Sequence, residues 1–169
     1  PEGVLEEQLR SWREGELQDE TPSFSGVRFE LDETQLAPET YQALSEAVYK
    51  QIRRQVRRDR RLLKLAPNQF AWFSADVSPE DALMPAERIR QTLDKTQFQH
   101  QGQPINLNVV AGIVAGVGDD TGDGLLQRLS SSLQYVLEKP DQTTCLDTGE
   151  GPQEVEPHPV EVPESACEL

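Results

Sequence analysis

The chain has 169 residues, 36% of them hydrophobic, with 16 basic and 30 acidic side chains and a formal net charge of −14. This length suits one domain with one core, and so acidic a body is excluded as a general ligand of nucleic acid or of an anionic membrane unless its positive charge is concentrated somewhere. The longest run free of charged and strongly polar groups, 109–118, is far short of the ~20 residues that cross a bilayer.

In chain order, Val4, Leu5, Leu9, Trp12 and Leu17 recur at helical spacing and predict an amphipathic helix over 2–16. No basic-then-apolar leader precedes it, so nothing signals export. Residues 18–25 read as a polar connection. Val27, Phe29 and Leu31 alternate with Arg28, Glu30 and Asp32, the period of a strand. Pro38 suits the first position of a helix that runs through Tyr41, Leu44, Val48, Ile52 and Val56. Leu63 and Leu65, then Phe70, Trp72 and Phe73, predict two short strands around the turn residues 66–69, hence a hairpin from which Trp72 or Phe73 enters the core. Ser78 and Pro79 open a third helix with Asp81 three residues after the cap, and Ala82, Ala86, Ile89 and Leu93 mark its buried face. Pro85 must kink that helix or delay its start. A strand beginning near Gln97 turns at Gly102, and Ile105, Leu107 and Val109 alternate into a further strand ending near Ala115. Leu125, Leu126, Leu129, Leu133, Val136 and Leu137 make the fourth helix, and 143–146 a weak last strand.

From 149 onward the composition changes to prolines and glutamates without Lys, Arg or an aromatic residue, which predicts a disordered acidic tail over 149–169 after a folded domain over 1–148. The element order has βαββαβ at its heart. That is an α+β fold with a ferredoxin-like, antiparallel-rich sheet whose helices lie on one face.

Several local patterns have competing readings. Lys50, Arg53, Arg54, Arg57, Arg58, Arg60, Arg61 and Lys64 concentrate basic charge at the end of the second helix. A phosphate or nucleic-acid patch is one reading; a solvated helix face meeting the acidic tail or an acidic partner is the other. The second is favoured, since no aromatic is interleaved and the whole chain is acidic. The stretch GVGDDTGDG over 116–124 lacks the Lys-Ser/Thr ending of a phosphate loop and the trailing glutamate of a calcium loop. It reads as a strand-to-helix turn capped by Thr121 or Asp123. His100 and His158 have no companion at metal-ligand spacing. Cys145 and Cys167 cannot form a disulfide framework, so Cys145 reads as a small core residue in a reduced, cytoplasmic protein.

The stretch KLAPNQFAWFSADVSPEDALMPAERIRQTL, with its hairpin and following helix, resembles the central block of the GGDEF family, the diguanylate cyclases. Lys64 and Leu65 precede Ala66-Pro67-Asn68-Gln69-Phe70 where the family has its Gly-Gly-Asp/Glu-Glu-Phe signature, and Ala86-Glu87-Arg88-Ile89-Arg90 stands where the family's helix motif is expected. The resemblance implies the fold of a nucleotidyl cyclase, and it implies a site. In active members the hairpin glycines make room for a guanine nucleotide, and carboxylates of hairpin and first strand hold magnesium on its phosphates. The corresponding positions here are Ala66 and Pro67, Asn68 and Gln69, and Glu30 and Asp32. Near the end of the domain, Glu138 and Gln142 replace a phosphate-gripping lysine and arginine. Magnesium is a hard cation bound through carboxylate charge, so two amides in the hairpin predict a vestigial site with no catalytic residue, no metal and no cofactor. The family's inhibitory Arg-x-x-Asp motif, which binds cyclic di-GMP, is matched by Arg57 but ends on Arg60, with Asp59 one position off.

The expected function is therefore that of a degenerate GGDEF domain, a regulatory or interaction module in bacterial signalling, with a protein partner or self-association. Its expected surface includes Arg53, Arg54, Arg57, Arg58, Arg60 and Arg61. The alternative is a sensor that binds GTP or cyclic di-GMP without turnover. An active cyclase would need Glu30, Asp32 and groups foreign to the family to hold the metal. Neither nucleic acid nor membrane is expected as a partner of this segment.

Overall fold

Val27, Phe29 and Leu31 alternate within β1 (Ser23–Leu31), the strand on which the sheet is organised. A computed structural model describes residues 6, 7, 10, 22–31, 36–116, 121–139, 141–156 and 160–169. Of the first expected helix, Glu6, Glu7 and Arg10 are described and helical; the rest of that helix, like Asp32, lies outside the described residues. After β1 come α1 (Pro38–Gln55), β2 (Leu62–Ala66), β3 (Gln69–Ser74), α2 (Pro79–Asp94), β4 (Thr96–His100), β5 (Gln103–Ile105), β6 (Leu107–Ala115), α3 (Gly122–Leu137), β7 (Thr144–Asp147), β8 (Pro152–Glu154) and β9 (Ser165–Glu168).

The main sheet runs β2-β3-β1-β6-β7-β8, and β4, β5 and β9 make a separate sheet in the order β5-β4-β9. β1 pairs antiparallel with both β3 and β6, placing Val27 opposite Phe70 on one side and Ala111 on the other. Only β6 and β7 run parallel within the main sheet. The four central strands with α1 and α2 are the expected βαββαβ unit. Both of these helices cover one face, where Leu44, Val48 and Ile52 of α1 and Ala82, Ala86, Ile89 and Leu93 of α2 meet Val27, Phe29, Phe70, Trp72 and Ile113. The expectation of helices on one face needs correction, because α3 covers the other. Its Leu125, Leu129, Leu133 and Val136 pack on Phe24, Ala71, Phe73, Val110 and Val114. A strand covered on both faces has no solvent side. Trp72 and Phe73 therefore both enter the core, one on each face.

Local chemistry sets the boundaries. Ser78 accepts the Asp81 N–H at 3.2 Å, so α2 begins at Pro79 and runs through Pro85. Thr121 rather than Asp123 caps α3, accepting the Gly124 N–H at 3.0 Å. Gln101 and Gly102, with φ of 51° and 77°, form the two-residue turn that closes the β4–β5 hairpin. α1 stops one residue before Val56, whose backbone is extended while its side chain stays buried.

The structure departs from the disordered tail expected over 149–169. Pro152–Glu154 pairs antiparallel with β7, and Ser165–Glu168 pairs parallel with β4. Composition speaks for a segment on average, whereas pairing needs only an open strand edge and a few inward side chains. Cys167 and Leu169 supply these by packing against the core.

Candidate functional site

The β2–β3 hairpin is pinned to the end of β1 through Asn68. Its backbone carbonyl accepts the Phe29 N–H at 3.0 Å, and its side-chain nitrogen donates to the Phe29 carbonyl at 3.0 Å and to Glu30 Oε1 at 3.3 Å. The Ser45 hydroxyl, from α1, holds the turn from the other side by donating to the Pro67 carbonyl. Glu30 and Asn68, paired from sequence across the expected site, thus meet directly.

The other partner of Glu30 was not foreseen from sequence. Arg28 lies on the same strand face as Glu30 and places Nε at 3.0 Å and Nη2 at 2.7 Å from Oε1 of that carboxylate. Its Nη1 donates to Gln134 Oε1 at 3.2 Å, and Gln134 donates in turn to Glu138 at 3.1 Å. Asn68, Glu30, Arg28, Gln134 and Glu138 therefore form one continuous polar chain from the hairpin to the end of α3. Arg28, Ser130, Gln134, Tyr135, Glu138 and Pro152 line a groove of about 520 Å³ along that helix. Gln69 is buried and donates to Ser130 Oγ at 2.9 Å, while Phe70 is fully buried beneath the hairpin. Ala66 is half-buried and Pro67 exposed. Gln142 is not among the groove's lining residues; its N–H donates to the Lys139 carbonyl at 3.2 Å. Burial, and after it the Glu30 charge, push the Tyr41 hydroxyl above its ordinary pKa, with Arg28 acting in the opposite direction.

The arginine cluster divides by role. Arg53 reaches past the end of α1 and donates to the carbonyls of Val56, Arg57 and Arg60 at 3.0, 2.6 and 2.9 Å, which satisfies backbone acceptors at a helix C-terminus. Arg57 pairs with Asp59 at 2.7 Å and with Asp76 at 3.3 Å, and Arg60 pairs with Asp76 at 2.9 Å. For Asp76, desolvation would raise the pKa, but Arg60 and then Arg57 outweigh it and hold the carboxyl below its usual value. Arg54, Arg58 and Arg61 are exposed. Asp76 lies far along the sequence from the Arg-x-x-Asp stretch, beyond the reach of a local motif.

A second polar cluster is buried under α2. Glu87 accepts from Arg90 Nε and Nη2, both at 3.0 Å, from Gln91 at 2.9 Å and from the Thr144 hydroxyl of β7. Its side chain is 3% exposed. Among the described residues no group of three or more His, Cys, Asp or Glu side chains is placed to hold a metal ion. Cys145 is buried in the core, its thiol pushed up to about 12 chiefly by desolvation. Among the described residues no helix is long and apolar enough to cross a membrane.

No family model and no curated protein matches the sequence. Solved structures do match the fold. The active GGEEF domain of a diguanylate cyclase from Vibrio cholerae superposes with a TM-score of 0.65 at 16% identity, covering 88% of this chain and 97% of that one. The coiled coil and GGDEF domain of DgcB from Caulobacter crescentus, solved in complex with c-di-GMP, gives 0.68 at 12% identity over 85% of this chain and 79% of that one. The diguanylate cyclase SiaD from Pseudomonas aeruginosa, solved with its activator SiaC, gives 0.64 at 11% identity over 87% of this chain and 58% of that one. At such identities the likeness speaks for architecture and not for chemistry, and one of the three is an active enzyme domain. The βαββαβ unit, the hairpin seated against β1 and the helix on the second face together give this chain the fold of a GGDEF domain.

Proposed function

We propose that the chain is a non-catalytic member of the GGDEF family that serves as a regulatory or protein-interaction module in bacterial signalling. The observation that carries this reading is the guanidinium of Arg28 on Glu30, with the Asn68 amide nitrogen facing the same carboxylate. A divalent ion held on nucleotide phosphates needs anionic oxygens around it. Here Glu30, the described carboxylate beside the hairpin, already has a cation, and Asn68 turns an N–H toward it where a ligand oxygen is required. Magnesium does not fit the described residues, so no phosphoryl-transfer step is assigned to them. Glu138, in place of a phosphate-gripping cation, adds negative charge to the same polar chain.

An interaction role is compatible with the fold's other uses, since SiaD was solved with a protein activator. Self-association, or pairing with another signalling domain, is the inherited form it would take. A nucleotide sensor is the second reading, suggested by the c-di-GMP complex of DgcB. The engagement of Arg57 and Arg60 with Asp76 weighs against it, because a phosphate would have to compete with that carboxylate.

Titration of the purified chain with GTP and Mg²⁺, and separately with cyclic di-GMP, tests the proposal by melting temperature and by product analysis. A ligand at a hundredfold its Kd would add about 2.7 kcal/mol. The expected result is no shift and no product. Product formation overturns the proposal, and a shift without product replaces it by the sensor.

A further inference from the structure

Residues 160–169 read VEVPESACEL, with three glutamates and no cation. They lie as an extended strap along α2 and the small sheet. The Val160 N–H donates to Gln91 Oε1 at 3.0 Å, and Lys95 Nζ donates to the Val162 carbonyl at 3.3 Å. Further on, the Ser165 N–H reaches the Lys95 carbonyl at 3.2 Å and the Leu169 N–H the Gln99 carbonyl at 2.8 Å, while Glu168 accepts the Gln101 N–H at 3.0 Å. Glu161, Val162 and Pro163 line a groove with Arg54 of α1 and Arg88 of α2.

The hold is shallow. No residue of the strap is fully buried, and Val160, Val162, Cys167 and Leu169 are its only half-buried ones. Most of the bonds it makes come from backbone groups, which any extended chain possesses. Specificity comes from alternate inward side chains, by which an added strand is recognised at a sheet edge, and from Glu161 in the groove of Arg54 and Arg88. Once the strap leaves, β4 presents an unpaired edge beside Arg54, Arg88 and Lys95.

We propose that the β4 edge and the Arg54–Arg88 groove form an acceptor for an extended acidic segment of a partner protein, with residues 160–169 as the chain's own removable occupant. Charge complementarity selects the occupant: in an acidic strap without cations, Glu161 shares its groove with Arg54 and Arg88, and Lys95 holds the neighbouring Val162 carbonyl. Exchange of straps between two copies would gain no new contact and would cost association entropy, so a second copy is not the occupant assigned. This surface gives the interaction-module reading a place on the molecule and rests on that reading.

The test uses the full chain carrying Ser165→Pro and Leu169→Pro, which removes two donors of the strap and leaves the acceptor intact. A fluorescent peptide of sequence 160–169 should bind this variant at least ~10-fold more tightly than it binds the parent chain, whose own strap competes at high effective concentration. Changing the peptide's three glutamates to lysine, or Arg54 and Arg88 to glutamate, should abolish binding. Absence of peptide binding while the Cys145 thiol stays protected, binding indifferent to charge reversal, or strap-exchanged dimers of the parent chain would each overturn the proposal. Should the variant fail to fold, hydrogen exchange on the parent chain decides. The amides of 165 and 169 must exchange faster than those of β1 and β6, and equal protection refutes a removable strap. GTP and Mg²⁺ added to the same samples separate the two claims: turnover defeats the non-catalytic reading, while loss of peptide binding alone defeats the acceptor.

Discussion

Arg28 and Glu30 share a strand face because side chains alternate with a period of two, so an arginine two residues before a site carboxylate is bound to lie beside it. The pair is partly exposed, with side-chain accessibilities of 24% and 44%, and its value for stability is correspondingly small. Its consequence is chemical: a fixed cation occupies the carboxylate. Glu87 is the opposite case, a carboxylate 3% exposed that Arg90 and Gln91 hold within α2 and that the Thr144 hydroxyl ties to β7. Desolvation alone would raise its pKa, but the hydrogen bonds from Arg90, Thr144 and Gln91 prevail and lower it. The sign follows. A carboxyl with a depressed folded pKa stabilises the fold fully above its unfolded pKa, near 4.5, and loses that contribution as pH falls through the lower folded value. Glu87→Gln should cost about 3–5 kcal/mol at neutral pH, because Arg90 is left buried without its counter-charge. Urea unfolding from pH 7 down to 3 should show the gap between parent and variant narrowing only below about pH 4.5. A gap independent of pH would mean that shape, not charge, holds α2 to β7. The motif Ala86-Glu87-Arg88-Ile89-Arg90 was legible as a family likeness, yet its structural use was not, since Thr144 reaches Glu87 from a strand far along the chain.

At the scale of elements, periodicity carried most of the fold. The stripes Leu44, Val48, Ile52 and Ala82, Ala86, Ile89, Leu93 are buried as their spacing predicts, and the caps at Ser78 and Thr121 follow from side-chain chemistry. The second helix-bearing face was not legible, because an apolar strand says that it is covered but not by what. Gly26 records the answer. It lies between Ala71 and Gly112 in register, and a Cβ built on it would stand 2.7 Å from a Leu129 methyl and 3.0 Å from the Phe70 carbonyl. Small residues at the centre of that face let α3 approach. Gly26→Val should therefore destabilise by about 1–3 kcal/mol through overpacking, read as a lowered urea midpoint with unchanged slope. Combining it with Leu129→Ala should recover part of the loss, since residues in contact do not add. Strictly additive costs would show that α3 is not seated on Gly26. The strap over 160–169 escaped the sequence for a related reason: its four inward residues are spread through a stretch whose average composition is that of a disordered chain.

For the molecule as a whole the governing quantity is a net charge of −14. Like charges repel across a compact body, so the folded state is opposed by its own field, and salt relieves this by shortening the Debye length from roughly 30 Å at 0.01 M to about 3 Å at 1 M. Raising sodium chloride across that range should raise the melting temperature; each 1 kcal/mol of relief is worth about 2–4 °C for a chain of this size. The strap should respond in the other direction. Its Glu161 shares a groove with Arg54 and Arg88, at a surface where attraction is screened as readily as repulsion. Hydrogen exchange at 165 and 169 should therefore quicken with salt over the same interval in which global unfolding is delayed. Loss of protection in the strap beside gain in global stability distinguishes an electrostatic latch from a strand held by backbone pairing and by the Cys167 and Leu169 contacts, for which protection at 165 and 169 and the melting temperature would rise together. The same experiment bears on partner choice, because a groove that loosens its occupant as salt rises will also bind an acidic segment more weakly as salt rises.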